Sequence, residues 1–118
     1  MTLDGLQVAI TGAGRDTGRS LALAFAERGA HLFVSARDPA AAQTTVDLIR
    51  QRGRTAEAFA CDLAAPASVR DFAVALGERV GYLDVLINNG AGYVDGAQLD
   101  ATILLTKHPG VRFEQVQA

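Results

Sequence analysis

Val8-Ala9-Ile10-Thr11-Gly12-Ala13-Gly14-Arg15-Asp16-Thr17-Gly18 carries a short apolar strand into a glycine-rich turn and then directly into a helix. Glycines let the backbone approach a ligand closely, and a helix starting there aims its unpaired N–H groups and positive dipole end at whatever occupies the turn. A phosphate or pyrophosphate is the natural occupant. Taken alone, the signal is weak. Gly12, Gly14 and Gly18 are spaced G-x-G-x-x-x-G rather than in the dinucleotide fingerprint G-x-G-x-x-G, and such a turn also serves as a plain strand-to-helix connection.

The chain around it supplies the context. Leu6–Thr11 reads as a strand buried on both faces. From Thr17, Leu21, Ala24, Phe25 and Ala26 fall at helical spacing, and Gly29 supplies a stop. His31–Ser35 is a second strand; Asp38 and Pro39 then provide an N-cap and first-turn proline for a helix through about Arg52, closed by Gly53. Thr55–Cys61 is a third strand. Asp62 and Pro66 open a third helix with one apolar stripe, Val69, Phe72, Ala73, Leu76 and Val80, ending at Gly81. Leu83–Ile87 is a fourth strand, and Asn88–Gly92 a turn.

This β-α-β-α-β-α-β alternation predicts an α/β fold, a doubly wound parallel sheet with helices on both faces. The expected strand order is 3-2-1-4, with helix one opposite helix three and a ligand crevice at the carboxyl ends of strands one and four, where the order reverses. Residues 1–95 form the domain in this reading. Residues 96–118 are an irregular tail whose one β-like run, Ala101–Thr106, is the candidate for a fifth strand. An open edge at strand four predicts that this run, or a second copy of the chain, packs beside it.

Composition narrows the function. A chain of 118 residues, 49% apolar and 20% charged, fits one globular domain, and a formal charge of −2 argues against nucleic acid or an anionic membrane as partner. A small molecule or another protein is the expected partner. The single cysteine, Cys61, precludes an intramolecular disulfide or a thiolate zinc cluster, and points to a reducing compartment. No basic-then-apolar leader and no run of ~18 apolar residues is present, so a cytoplasmic location is expected.

Three elements together resemble the short-chain dehydrogenase/reductase family. Thr11–Gly18 is similar to its T-G-x-x-x-G-x-G turn, Asp62 to its adenine-contacting aspartate, and Leu86-Ile87-Asn88-Asn89-Gly90-Ala91-Gly92 to its N-N-A-G element. The resemblance spans residues 1 to about 95 and implies the cofactor-binding half of a Rossmann-like oxidoreductase. It implies that Thr11, Gly12, Gly14, Thr17 and Gly18 form the pyrophosphate turn, that Asp62 and Leu63 hold the adenine, and that Asn89, Gly90 and Ala91 line the ribose and the approach to nicotinamide. Each has a plainer alternative: Asp62 as a helix cap, and the Asn-Asn-Gly run as a turn tolerant of left-handed backbone.

Charge bears on which dinucleotide is bound. An NAD site of this kind ends strand two on a carboxylate; here the position is Ala36, followed by Arg37, which suits the 2′-phosphate of NADP(H). Arg15 resembles the second basic residue of NADP-preferring members, although exposed arginines are also ordinary surface charges. NAD is the less favoured cofactor. Asp38 is read as the cap before Pro39 rather than as the ribose carboxylate. Asp16 departs from the family, which has glycine there; its carboxylate must cap the helix or pair with Arg15 or Arg19, because ~4 Å from a pyrophosphate it would cost on the order of 4 kcal/mol at an effective dielectric of ~20.

The resemblance implies a proton-transfer set of a tyrosine with a lysine four residues later, a serine that polarises the substrate carbonyl and an asparagine that completes a proton relay, and this set does not appear in these residues. Lys107 is the only lysine and Ile103 stands four places before it, while Tyr82 and Tyr93 are followed four places on by Leu86 and Ala97. Ser20, Ser35 and Ser68 all precede strand four, and no asparagine follows Asn89. His31 and His108 share no motif, and Asp95 and Asp100 have no metal-ligand spacing. No catalytic residue and no metal ligand is therefore assigned. Three readings follow: the cofactor-binding part of a dehydrogenase that is inactive alone, a non-catalytic dinucleotide-binding module, and a structural subunit completing its sheet with a partner.

Overall fold

The computed structural model describes residues 2–89. Its elements run β1 (Gln7–Thr11), α1 (Asp16–Glu27), β2 (His31–Ala36), α2 (Pro39–Gln51), β3 (Ala56–Ala60), α3 (Pro66–Arg79) and β4 (Val85–Asn88). The sheet order is β3-β2-β1-β4 and every pairing is parallel, as the alternation predicts. β1 is central, and its residues Val8, Ala9, Ile10 and Thr11 are buried on both faces.

The two faces carry separate cores. Val8, Ile10, Leu32 and Val34 pack with Ala22 and Ala26 of α1 and with Ala42, Val46 and Ile49 of α2. Ala9 and Phe33, which alternate with them, pack with the complete α3 stripe and with Leu83. α1 thus lies opposite α3, because consecutive crossovers of one hand stay on one face until the strand order reverses. On α1 the buried positions are Gly18, Ala22 and Ala26, a ridge of small side chains four residues apart, whereas Ala24 is exposed.

Local signals account for the helix ends. Gly29 (φ +99°) closes α1: its N–H donates to Ala26 O (3.0 Å), and Ala30 N donates to Phe25 O (3.3 Å). Gly53 (φ +75°) closes α2 through the same pair of bonds. Asp38 caps α2, its carboxylate accepting from Ala40 N at 3.0 Å, which settles its role as a cap. α3 stops at Arg79 without a left-handed glycine, two residues before Gly81.

β4 begins two residues later than the apolar run suggests. Leu83 is fully buried in the α3 layer and contributes ~1.5–3 kcal/mol there. Asp84 replaces a ladder residue: its carboxylate accepts from Gln7 N (2.8 Å) and its N–H donates to Gln7 O (2.9 Å). Beyond Asn88, the expectation that residues 101–106 extend the sheet, and the boundary between residues 95 and 96, lie outside the described residues. Among the described residues, β4 is an edge. No helix among them is long and apolar enough to cross a membrane.

Candidate functional site

Register brings Thr11 beside Asn88 at the carboxyl ends of β1 and β4, where the strand order reverses. The Thr11 hydroxyl donates to Asn88 Oδ1 at 2.7 Å and accepts from Asn89 N at 3.2 Å. Asn89 Nδ2 reaches back to donate to Gly12 O at 3.1 Å. The end of β4 is therefore bonded to the start of the glycine turn. Gly12 itself has φ +63°, a left-handed conformation that side chains rarely adopt.

The other glycines are required by space. A Cβ on Gly18 would lie 2.1 Å from Gly12 O and 2.8 Å from Asn89 Nδ2; one on Gly14 would lie 2.7 Å from Ala41 Cβ and 3.0 Å from Ala36 Cβ. α1 thus starts against the turn, and the turn lies against α2 and the end of β2. Ala13 N donates to Ser35 O (3.0 Å), and the buried Thr45 hydroxyl of α2 donates to Ala13 O at 2.7 Å. Arg19 of α1 donates through Nε to Thr45 Oγ1 (3.0 Å) and through its terminal nitrogen to Gly14 O. Neither Arg19 nor Thr45 is identified by sequence motif; the only signal is a polar residue at a buried face of α2.

Charge gathers on the turn's exposed side. Arg15 occupies the N-cap position of α1 with extended backbone, and Asp16 follows with φ +51°. Asp16 makes no cap; its carboxylate pairs with Arg15 Nε at 3.8 Å, with both side chains 86% exposed. This explains the family's glycine at that position: the backbone is left-handed there, and Asp is among the few side chains that tolerate it. Ala36 is buried at the end of β2 and Arg37 is exposed just beyond it. Thr17 is exposed in the first turn of α1.

Asp62 follows β3 and does not cap α3. Its carboxylate accepts from Ala64 N (3.0 Å), its carbonyl from Ala65 N (3.0 Å), and its own N–H donates to Ser68 Oγ (2.9 Å). The N-cap position is Ala65, without a side-chain bond. Leu63 is buried beside it. Burial, with the neighbouring Asp62 charge, pushes the Cys61 thiol up to about 11, so it stays protonated and unreactive.

Other candidates stand away from this crevice. His31 opens β2 at the opposite end of the sheet, where Nδ1 contacts Thr55 Oγ1. It borders a hollow of about 280 Å³ whose polar groups are already engaged, Glu57 with Arg79 and Gln7 with Tyr82 O. No group of three His, Cys, Asp or Glu able to hold a metal occurs among the described residues. Gly90, Ala91, Gly92, Tyr93, Asp95, Asp100, Lys107 and His108 lie outside the described residues.

Comparison with known proteins gives a consistent set of relatives. A family model described as short chain dehydrogenase matches residues 7–106. The 7alpha-hydroxysteroid dehydrogenase of Escherichia coli K12 is 38% identical over 95 residues, covering 78% of this chain and 36% of that protein. A solved 7 alpha-hydroxysteroid dehydrogenase complexed with NADH and 7-oxo glycochenodeoxycholic acid aligns with a TM-score of 0.72 at 37% identity, over 77% of this chain and 36% of that one. A complex of Pseudomonas aeruginosa RhlG with NADP aligns with a TM-score of 0.73 at 33% identity, over 86% of this chain and 44% of that one. The chain thus spans a little over a third of the length of this curated relative.

Proposed function

The chain belongs to the short-chain dehydrogenase family, and from that premise we propose that residues 1–95 bind NADP(H) as the dinucleotide-binding part of an oxidoreductase acting on small carbonyl or alcohol substrates. The observation that carries this reading is the crowding of Gly18 against Gly12 and Asn89 at the point where the strand order reverses. Such close approach keeps side chains out of the turn and leaves a backbone-lined cradle facing the crevice. Gly12, Gly14 and Gly18 surround the pyrophosphate, with Thr17 beside them at the start of α1 and the buried Thr11 tying the turn to the end of β4. Asp62 and Leu63 border the adenine, while Asn89, Gly90 and Ala91 border the ribose and nicotinamide.

When bound, the cofactor supplies a hydride; the chain binds and orients it. Proton transfer and the substrate wall are assigned to residues other than these, placed beside β4, which is an edge among the described residues. A cytoplasmic location fits the single, buried, protonated thiol.

Arg37 and Arg15 select NADP(H) over NAD(H) by pairing with the 2′-phosphate. A charge-assisted hydrogen bond contributes ~1.5–3 kcal/mol when partly desolvated. Exposure of Arg37 sets the expected preference at the lower end, about tenfold. Calorimetric titration of the 118-residue chain should show NADPH binding about tenfold tighter than NADH, with the difference lost in Arg37→Asp. Equal affinities in the unmodified chain would refute both arginine assignments, and no binding of either would leave only the structural-subunit reading.

Asp16 works against this selection by occupying Arg15. Exposed pairs of this kind are worth little, so Asp16→Gly should tighten NADPH binding only about two- to fivefold. The gain should shrink as salt is raised, while NADH affinity changes less. The left-handed backbone at Asp16 accepts glycine without strain. A variant that binds NADPH more weakly would show that Asp16 instead supports the turn.

A further inference from the structure

Three successive carbonyls of the turn are each held by a side chain from a different element. Gly12 O accepts from Asn89 Nδ2 (3.1 Å), Ala13 O from Thr45 Oγ1 (2.7 Å), and Gly14 O from Arg19. Arg19 and Thr45 are also bonded to one another at 3.0 Å, so α1 and α2 share one polar contact beneath the turn. Thr45 is fully buried. A hydroxyl there would cost ~1–3 kcal/mol if unpaired, and here its oxygen both donates and accepts.

These bonds fix the direction of the backbone. In a trans peptide the C=O and the following N–H point in opposite directions, and no cis peptide occurs among the described residues. Holding Ala13 O against Thr45 of α2 and Gly14 O against Arg19 of α1 turns the N–H groups of Gly14 and Arg15 away from those contacts. That is the side which the dinucleotide reading gives to the anion at the start of α1. Without the clamp, the same carbonyls are free to rotate toward that side, where a phosphate oxygen would meet an acceptor instead of a donor.

We propose that Arg19 and Thr45 are positioning residues that set the orientation of the phosphate cradle, acting through the backbone of Ala13 and Gly14 without touching the cofactor. The assignment rests on the reading of the turn as a dinucleotide site. It predicts that loss of either residue weakens ligands that carry a pyrophosphate while sparing ligands that use only the adenine and 2′-phosphate contacts. The guanidinium fork is needed to reach both acceptors, so a lysine cannot replace Arg19.

Thr45→Val keeps the shape and removes the hydroxyl; Thr45→Ser restores it. NADPH affinity of the full 118-residue chain is measured by calorimetry, and that of adenosine 2′-monophosphate, which has no pyrophosphate, by NMR titration in the millimolar range. Thr45→Val and Arg19→Lys are each expected to weaken NADPH about tenfold, to leave adenosine 2′-monophosphate unchanged, and to be non-additive when combined, with Thr45→Ser near the unmodified chain. Parallel weakening of both ligands, or NADPH affinity within twofold of the unmodified chain, would overturn the clamp alone. If Thr45→Val does not fold, the same contrast is read from Arg19→Lys. An unmodified chain that binds neither ligand overturns the dinucleotide site, and the clamp with it.

Discussion

Gly18→Ala is expected to reduce NADPH affinity on the order of 100-fold and to lower thermal stability, although alanine is the better helix former by ~1 kcal/mol. The added Cβ would sit 2.1 Å from Gly12 O, 2.8 Å from Ala13 Cα and 2.8 Å from Asn89 Nδ2. Two of these atoms are backbone, so no rotamer change relieves the overlap. Overpacking of this size costs ~1–3 kcal/mol, which outweighs or cancels the propensity gain. The larger loss is geometric. Relief requires the turn and α1 to separate, and losing two charge-assisted hydrogen bonds to the pyrophosphate at ~1.5 kcal/mol each amounts to about two decades in affinity. Gly81→Ala is the control, since nothing lies within 4 Å of its Cβ position, and it should bind NADPH as the unmodified chain does. Melting curves and calorimetry on the two variants decide the matter; Gly18→Ala binding within threefold of the unmodified chain would contradict the cradle.

The architecture was legible because its signals were local and repeated. Strand runs alternated with helix stripes, Gly29 and Gly53 marked helix ends by their left-handed backbone, and Asp38-Pro39 marked a helix start. Sheet order followed from handedness and from the position of the glycine turn. What the sequence concealed were contacts between distant residues. Arg19 and Thr45 are separated by 26 positions, and no spacing rule distinguishes a threonine bonded to a turn carbonyl from one on a solvated face. Asp16 was legible as a charge in the wrong place but not as a backbone problem, because its positive φ is fixed by how α1 meets the turn. Leu83 was read as a strand residue because it is apolar; only its burial against α3 shows that it leaves the ladder before β4 begins.

The 118-residue chain is expected to turn over no ketone or alcohol above background, even at saturating NADPH. Hydride transfer to a carbonyl leaves an alkoxide that must be protonated as it forms, and a placed acid typically supplies ~100- to 10,000-fold. The described residues offer none at the crevice. Tyr82 is 48% exposed, and its carbonyl bonds the side chain of Gln7, the first residue of β1, so it sits at the opposite end of a strand that reaches the crevice at Thr11. Four residues of strand separate the two ends by ~13 Å. His31 opens β2 at that same far end. Cys61, raised to about 11 and buried, offers no thiolate at neutral pH. Tyr93 follows the Asn88–Gly92 run, but the residue four places on is Ala97 and not a lysine. A substrate wall is also required, since oriented reactants account for ~7–11 kcal/mol of barrier lowering, and the crevice beside β4 is open among the described residues. NADPH oxidation is followed by absorbance with a panel of ketones. Steady turnover abolished by Tyr93→Phe would overturn the prediction, whereas turnover appearing only when a family carboxyl-terminal half is supplied in trans would locate the proton donor outside these residues.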